Sequence, residues 1–425
     1  MVQLLIAAFV IGYLAIVFEH KLKINKAASA LVTGVICWTI FILFTASKEQ
    51  VTDSLLHHLG ELSQILFFLM GAMAIVELID LHDGFEIITR RIITKNKRKL
   101  IWIISLLTFF LSPVLDNLTT AIVMISLVRK LVSDKNDRLV FAGAIIIAAN
   151  AGGAWSPIGD VTTTMLWIGG QITALNIIVK LILPSLICML VPLLFFHFSL
   201  KGDVQAPERN AENDQITTTR FQSKVVFLSG LGVLLMVPVF KTLTHLPPFM
   251  GILIGLGILW IITELMHGHR DEEERKRFSV AYALQKIDVP SILFFLGILL
   301  AIGALQATGQ LTLAADALGS GLKNDNLIVL SIGLLSAVVD NVPLVAASMG
   351  MYSLAQYPVD HPFWEFLAYC TGTGGSVLIV GSAAGVAIMG IEKIEFVWYL
   401  KRIGWLALLG YLSGAGIYIL QQAFF

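Results

Sequence analysis

Two Asp-Asn pairs lie inside otherwise apolar stretches of this sequence. Asp116-Asn117 interrupts SLLTFFLSPVLDNLTTAIVMISLV, and Asp340-Asn341 interrupts LIVLSIGLLSAVVDNVPLVAASMGMY about half the chain later. An ionisable side chain at membrane depth is expensive unless it is neutralised or lines a polar cavity, so it indicates a functional site by default. A carboxylate can bind a metal cation and can also bind a proton, because burial disfavours its charged form. The two pairs therefore predict a site where cations and protons compete.

Each pair is followed by an interruption rich in glycine and in hydroxyl or amide side chains. A helix broken at membrane depth is tolerated only where it is buried in protein or lines a water-filled cavity. Such breaks free carbonyl oxygens, which can coordinate a cation together with side-chain oxygens. We therefore expect ligands from both interruptions, namely Asn150, Gly153, Ser156, Thr373 and Ser376.

Serine hydroxyls accompany both pairs. Ser112 and Ser336 each precede their aspartate by four positions. A continuous helical turn would place each hydroxyl next to the carboxylate, since residues four apart share one helix face. We expect both serines to contribute to the site.

Asp160 is a third acidic candidate for proton coupling, beside Asp116 and Asp340. It ends the first interruption next to Thr162, and Ser382 aligns with it in the second half of the chain. Its alternative role is to cap the helix that follows it.

The amino-acid composition indicates whether these residues lie in a soluble protein or in a membrane protein. The 425 residues are 57% hydrophobic and 14% charged, whereas a soluble domain carries about a quarter charged residues. This predicts a polytopic membrane protein. The formal net charge is zero, so charge indicates no nucleic-acid partner. Three cysteines lie in separate apolar runs and are expected to act as small hydrophobic residues.

The elements that position the candidate site follow from hydropathy and loop charge. Apolar runs of about 17 to 25 residues can cross a bilayer, and they predict membrane helices near 2–19, 27–45, 62–80, 174–199, 222–240, 246–266, 289–307 and 396–424. Lys and Arg mark cytoplasmic loops, and they flank residues 100–133 on both sides. This pattern predicts a re-entrant hairpin at 100–133, a second hairpin entering from the opposite side at 327–355, broken transmembrane helices at 138–170 and 363–390, and external termini.

An internal repeat supports this topology. FFLMGAMAIVELIDLHDGF (67–85) resembles FFLGILLAIGALQATGQL (294–311), the two Asp-Asn pairs match, and Gly152-Gly153 matches Gly374-Gly375. Many secondary transporters build one midplane site between inverted repeats. The predicted fold is all-α, with inverted repeats at 1–200 and 222–425, a cytoplasmic linker at 201–221, and scaffold helices at 2–45 and 222–266.

Four motifs carry a family resemblance over nearly the whole chain. SPVLDNLTTAIVM, NAGGAWSPIGDVTTTMLW, SAVVDNVPLVAAS and GTGGSVLIVGSAAG resemble the NhaD sodium/proton antiporters of the ion transporter superfamily. The resemblance implies a sodium site at each hairpin tip, with Na⁺ at Asp116, Asn117, Asp340 and Asn341. The further ion-binding candidates are Ser112, Thr119, Asn150, Gly153, Ser156, Ser336, Thr373 and Ser376. Pro343 departs from the pattern, because it stands where Thr119 stands in the first tip.

The predicted function is exchange of cytoplasmic sodium, with lithium as an alternative cation, for external protons by alternating access, with Asp116, Asp340 and Asp160 coupling the protons. The partners are the lipid bilayer, sodium ions and protons, with no cofactor. We place the protein in a bacterial inner membrane, and the resemblance implies a homodimer.

Other functions are weighed against this prediction. A sodium-coupled carboxylate importer of the same superfamily would need cationic or Ser-Asn-Thr groups, and neither tip has them. An anion carrier of that superfamily is not excluded by this argument. An intramembrane aspartyl protease also uses two membrane aspartates, but Leu115 and Val339 stand where a tyrosine would precede them. The protein is therefore expected not to be an enzyme.

The histidines are predicted to lie in solvated loops. His57, His58, His245 and His361 fall in expected external loops, and His82, His267 and His269 in cytoplasmic ones. We expect these histidines to be solvated loop residues rather than pH sensors, although histidine titrates near neutrality.

Overall fold

The computed structural model of the chain describes residues 1–85, 87, 92, 94–205, 218–269, 271–322, 324–338 and 340–424. Within these ranges the secondary structure is helical, and β-pairing is confined to one bridge between Asn96 and Asp203. Most of the predicted linker 201–221 lies outside the described residues, as does Val339.

The helices of eight or more residues are α1 (Val2–Val17), α2 (Lys26–Phe44), α3 (Lys48–Leu81), α4 (Lys97–Leu115), α5 (Asn117–Leu131), α6 (Lys135–Ala154), α7 (Val161–Ile168), α8 (Ala174–Ser199), α9 (Arg220–Thr244), α10 (Pro248–His267), α11 (Val289–Ala307), α12 (Gln310–Leu322), α13 (Asp325–Leu335), α14 (Asn341–Met351), α15 (Pro362–Gly374), α16 (Ala383–Glu392) and α17 (Trp405–Phe424). Shorter helices are Glu19–Leu22, Glu272–Arg277, Val280–Lys286 and Phe396–Tyr399, and a π-helical turn at Leu400–Gly404 leads into α17.

Nine helices of the described chain are long and apolar enough to cross a membrane. They are α2, α3, α4, α6, α8, α9, α10, α11 and the continuous helical segment Phe396–Phe424. This confirms the prediction of an all-α polytopic membrane protein.

Both predicted broken helices are interrupted where the sequence is rich in glycine. α6 ends at Ala154 and α7 begins after Asp160, while α15 ends at Gly374 and α16 begins after Ser382. Asp160 and Ser382 cap the second halves, because each side chain accepts a hydrogen bond from a backbone N–H of the following turn.

Two helical pairs carry the Asp-Asn tips. α4 and α5 are joined at Asp116, and α13 and α14 are joined by residues 336–340. α13 and α14 have 11 residues each, which is about 16 Å at 1.5 Å per residue. That is about half of a 30 Å hydrocarbon core, so these two helices are too short to cross it.

The helices that precede the breaks are the most enclosed elements. Every residue of α6 from Phe141 to Ala154 is buried, and so is every residue of α15 from Phe363 to Gly374. A helix that is apolar or small all round belongs in the interior. α6 packs against α4, α5, α8 and α15, so both breaks lie deep inside the protein.

The prediction of histidines in solvated loops is wrong at His58, His82 and His267, and at His57 it is wrong only about the loop, because the His57 side chain is 77% exposed. His57 and His58 lie within α3, because that helix begins at Lys48 and extends beyond the apolar run on which the prediction rested. His82 and His267 are buried at the ends of α3 and α10, where their Nε2 atoms lie 3.0 Å apart. The two helix ends meet, which brings the rings together.

Candidate ion-binding site

Asp160 is the carboxylate on which both Asp-Asn tips converge. Asn117 donates from Nδ2 to Asp160 Oδ2 at 2.5 Å, and Asn341 Nδ2 lies 3.5 Å from Asp160 Oδ1. Each asparagine is the first residue of the helix that leaves its tip. Asp160 is 1% exposed, so one buried acid is shared by amides from both halves of the chain.

The remaining contacts of Asp160 belong to helix capping. Its Oδ1 accepts from the backbone N–H of Thr162 at 2.8 Å and from the Thr162 hydroxyl at 2.7 Å. The N-terminus of a helix favours negative charge. The two roles weighed for Asp160 are therefore compatible, because the cap fixes the orientation of the carboxylate that faces the tips.

Asn150 connects this acid to the second break. It accepts from Asn117 Nδ2 at 3.1 Å and donates from its own Nδ2 to the hydroxyls of Ser376 and Ser382, each at 2.9 Å. Residues at both breaks and both tips thus form one hydrogen-bonded group, in which every residue is at most 6% exposed. We call it the central cluster: Asn117, Asn150, Asp160, Asn341, Ser376 and Ser382.

The central cluster collects some of the predicted residues and adds one. The sequence predicts Asn117, Asn150, Asn341, Ser376 and Asp160, whereas it marks Ser382 only as the residue that aligns with Asp160. The alignment was a usable signal, because both residues cap the helix after a break.

The first tip holds Asp116 in a strained backbone conformation. Its φ of 72° lies in a region that residues other than glycine rarely adopt, and such outliers concentrate at functional sites. Its Oδ1 accepts from the Thr119 N–H and its Oδ2 from the Thr119 hydroxyl, both at 2.8 Å. Asp116 therefore lies next to the central cluster in sequence but is engaged by its own helix.

The second tip differs because Pro343 replaces Thr119. Asp340 Oδ1 accepts from the Val342 N–H at 3.2 Å, and its Oδ2 pairs with Lys26 Nζ at 3.1 Å. Lys26 was not among the predicted site residues.

The predicted stacking of Ser112 and Ser336 on their aspartates is wrong. Ser112 donates to the carbonyl oxygen of Ala149 at 2.6 Å, and Ser336 to those of Gly333 at 2.7 Å and Thr371 at 3.2 Å. The helices end at Leu115 and Leu335, so no continuous turn links serine to aspartate.

The other two predicted hydroxyls also bond to the backbone. Ser156 donates to the carbonyl oxygen of Pro113, and Thr373 to that of Tyr369, each at 2.6 Å. Ser156 thereby ties the first break to the first tip.

Close backbone contacts join each tip to its broken helix in the same way. A Cβ on Gly152 would lie 2.4 Å from the carbonyl oxygen of Phe109, and a Cβ on Gly374 would lie 2.1 Å from that of Gly333. No side chain fits at such distances. Glycine is therefore required where the tip helix crosses the broken helix in each half.

The comparisons with known proteins agree with this architecture. Residues 13–372 match the model of the citrate transporter family CitMHS. Sodium/proton antiporter 1 of Arabidopsis thaliana is 48% identical over 97% of this chain and 71% of its own length. Two proteins named Na(+)/H(+) antiporter NhaD are 32% identical over 97% of the chain (Vibrio cholerae) and 30% over 98% (Alkalimonas amylolytica), each over 90% of its own length. The resemblance to NhaD proteins is confirmed, and the chain belongs to the citrate transporter family.

Proposed function

We propose that this protein exchanges cytoplasmic sodium for external protons, with Asp160 at the centre of the exchange. The observation that carries the proposal is the meeting of both tip amides at this one buried carboxylate. The relatives named sodium/proton antiporters support the choice of ions.

The chemistry follows from competition at Asp160. Its carboxylate accepts either a proton or a sodium ion, and each displaces the other. Asn117 and Asn341 now direct their N–H groups toward the carboxylate. When either side-chain amide rotates about its last side-chain bond, its oxygen takes the position that its N–H groups occupied. The same residues can therefore stabilise the empty carboxylate and supply oxygen ligands to sodium.

The carboxylates of Asp116 and Asp340 are the further proton-coupling groups in this proposal. Each lies directly before an asparagine of the central cluster. Sodium at a tip would be coordinated by these carboxylates, by Thr119, and by carbonyl oxygens near Gly153. Lithium, with the same charge and a smaller radius, is the second cation we expect.

In this proposal the hairpins and broken helices of two pseudo-symmetric halves move as a body against the scaffold helices, so that the site faces one side of the membrane and then the other. Equivalent contacts support the pseudo-symmetry: Gly152 against Phe109 corresponds to Gly374 against Gly333, and the hydroxyl of Ser112 on Ala149 corresponds to that of Ser336 on Thr371. We propose that 1–200 and 222–425 are inverted repeats, and that 100–133 and 327–355 are re-entrant hairpins entering from opposite sides.

The assembly and location are proposals of the same kind. We propose a homodimer formed by the scaffold helices, and external termini. The relatives come from a plant as well as from bacteria, and the bacterial inner membrane stays our prediction for this chain.

The alternative functions fit the site less well. A carboxylate substrate needs a free cationic group, whereas the central cluster contains a carboxylate and Lys26 is paired with Asp340. An aspartyl protease needs two acids that share a proton, whereas Asp116 and Asp340 have separate partners. Membership of a transporter family also agrees with a protein that is not an enzyme.

The test uses the purified full-length protein in liposomes with an imposed pH gradient. Sodium, and more weakly lithium, should collapse the gradient, whereas potassium and citrate should not. Asp160→Asn should reduce sodium-dependent proton movement to background, because the amide cannot carry a proton. Asp53→Asn is the matched control, since Asp53 is an exposed acid on α3. Collapse by citrate, or normal exchange by Asp160→Asn, would refute the proposal.

A further inference from the structure

Lys26 is held between an aromatic ring and the second tip. Its Nζ lies 3.1 Å from Asp340 Oδ2 and 4.3 Å from the centroid of the Phe294 ring. The side chains of Lys26 and Asp340 are 24% and 17% exposed, and Phe294 is 1% exposed. A ring face attracts a cation. The ammonium is therefore fixed on one side by Phe294 and on the other by Asp340.

The helix that carries Lys26 does not account for its position. Lys26 is the first residue of α2, and Asn25 caps that helix by accepting from the Ala27 N–H. Cations are disfavoured at a helix N-terminus, because the macrodipole is positive there. The charge of Lys26 is compensated by Asp340, which comes from a distant part of the chain.

Lys26 and Phe294 belong to a tightly packed pair of helices. A Cβ on Gly34 of α2 would lie 2.6 Å from the carbonyl oxygen of Gly297 on α11. A Cβ on Gly297 would in turn lie 2.4 Å from the carbonyl carbon of Ala30. With the backbones of α2 and α11 in contact, Lys26 and Phe294 keep a fixed relation, and the ion pair joins this helix pair to the second tip.

The sequence of the second tip leaves an oxygen free for the ammonium. In the first tip Thr119 supplies both an N–H and a hydroxyl to Asp116. Pro343, at the equivalent position, has neither group, and Asp340 retains only the Val342 N–H from its own helix. Lys26 takes the place of the missing donors.

We propose that Lys26 is a resident cation at Asp340, so that a sodium ion or a proton reaches this carboxylate only by displacing the ammonium. The proposal deepens the sodium/proton exchange proposed above and rests on it. Displacing the ammonium breaks the ion pair between Lys26 and Asp340. The free energy lost in this step lowers the sodium affinity of the second tip. Displacement also releases the tip from α2 and α11, so loading of Asp340 and movement of the tip are coupled.

The test is equilibrium binding of radioactive sodium to the purified full-length protein in lipid nanodiscs. Lys26→Met removes the charge but keeps most of the length of the side chain, and Lys26→Arg keeps the charge. We expect Lys26→Met to tighten sodium binding about tenfold, as for the loss of one modest ionic competitor, and Lys26→Arg to match the wild type. In an Asp340→Asn background, Lys26→Met should change nothing, because the contested carboxylate is gone.

Three outcomes separate the possibilities. Unchanged binding by Lys26→Met, or equal tightening with and without Asp340, overturns the resident-cation role alone. A wild type that binds no sodium overturns the proposed exchange and this inference with it. Thermal unfolding of each variant accompanies the binding measurement, and Lys26→Gln replaces Lys26→Met if the latter does not fold, with the same expected direction.

Discussion

The two tips share the Asp-Asn pair but differ in the partners of its side chains. At the first tip, Asp116 adopts a φ of 72° and both carboxylate oxygens are occupied by Thr119. At the second tip, Asp340 adopts a φ of −49°, and its carboxylate is divided between Val342 and Lys26. The first acid is engaged within its own helix, whereas the second is engaged by a different part of the protein.

The asparagines of the two tips differ in the opposite sense, because the first contacts a distant part of the chain more closely than the second does. Asn117 makes a short contact with Asp160 and a second with Asn150, whereas Asn341 lies 3.5 Å from Asp160, at the limit of a useful hydrogen bond. The first tip is thus firmly connected to the central cluster, and the second to the α2–α11 pair. Under the proposed exchange, this difference would assign ion binding to the first tip and control of movement to the second.

The strongest test of this division replaces the two asparagines in turn. Asn117→Ala should slow sodium-dependent proton exchange about a hundredfold, because a hydrogen bond to a charged group contributes about 1.5–3 kcal/mol and each 1.4 kcal/mol is about tenfold. Asn341→Ala should slow it only about threefold, since its contact with Asp160 is long. Initial rates in proteoliposomes over a range of sodium concentrations measure both effects.

Asn136→Ala is the matched control, because Asn136 is exposed in the first turn of α6. Equal losses for Asn117→Ala and Asn341→Ala would show that the two tips contribute equally to the central cluster and would contradict the division drawn above.

Most of the helices could be predicted because membrane spans have a simple signal. The run 174–199 coincides with α8 (Ala174–Ser199), and 289–307 with α11 (Val289–Ala307). The prediction failed where a helix continues past the bilayer. α3 begins at Lys48 rather than near residue 62, because hydropathy detects the apolar part of a helix and not its polar extension.

Five of the six residues of the central cluster could be predicted in the same way, since polar side chains in apolar runs are conspicuous. The convergence on Asp160 could not be found, because Asn117 and Asn341 are 43 and 181 residues from it in sequence. The contact of Lys26 with Asp340 could not be predicted for a different reason. A lysine at a loop end looks like any cytoplasmic cation, and its partner is 314 residues away.

Substitutions of Asp116 test the backbone conformation of the first tip, and we expect them to have smaller effects. Asp116→Ala should lower the free energy of unfolding by about 1 kcal/mol, because it loses a helix cap of that value, whereas the positive φ is unfavourable for aspartate and alanine alike. Asp116→Gly should cost only a few tenths of a kcal/mol, since glycine adopts positive φ freely and is itself an acceptable cap.

Thermal unfolding in one detergent compares the two variants. The second tip provides the control, because Asp340 has an ordinary negative φ. Asp340→Gly should therefore be no more stable than Asp340→Ala, and a glycine advantage at both tips would argue against strain at Asp116.

The smallest expected effect comes from making the second tip resemble the first. Pro343→Thr gives Asp340 the N–H and hydroxyl that Thr119 gives Asp116, so the carboxylate gains partners on its own helix and depends less on Lys26. The two new hydrogen bonds contribute about 0.5–1.5 kcal/mol each, and the loss of proline costs about 0.4–1 kcal/mol through the unfolded chain, so the free energy of unfolding should rise by only about 1 kcal/mol, which does not by itself identify the new bonds. Sodium binding reveals the substitution instead: in the Pro343→Thr background, Lys26→Met should tighten binding only about threefold rather than about tenfold. A full tenfold response would mean that Pro343 does not determine how Asp340 is occupied, and that the position of Lys26 against Phe294 alone distinguishes the two tips.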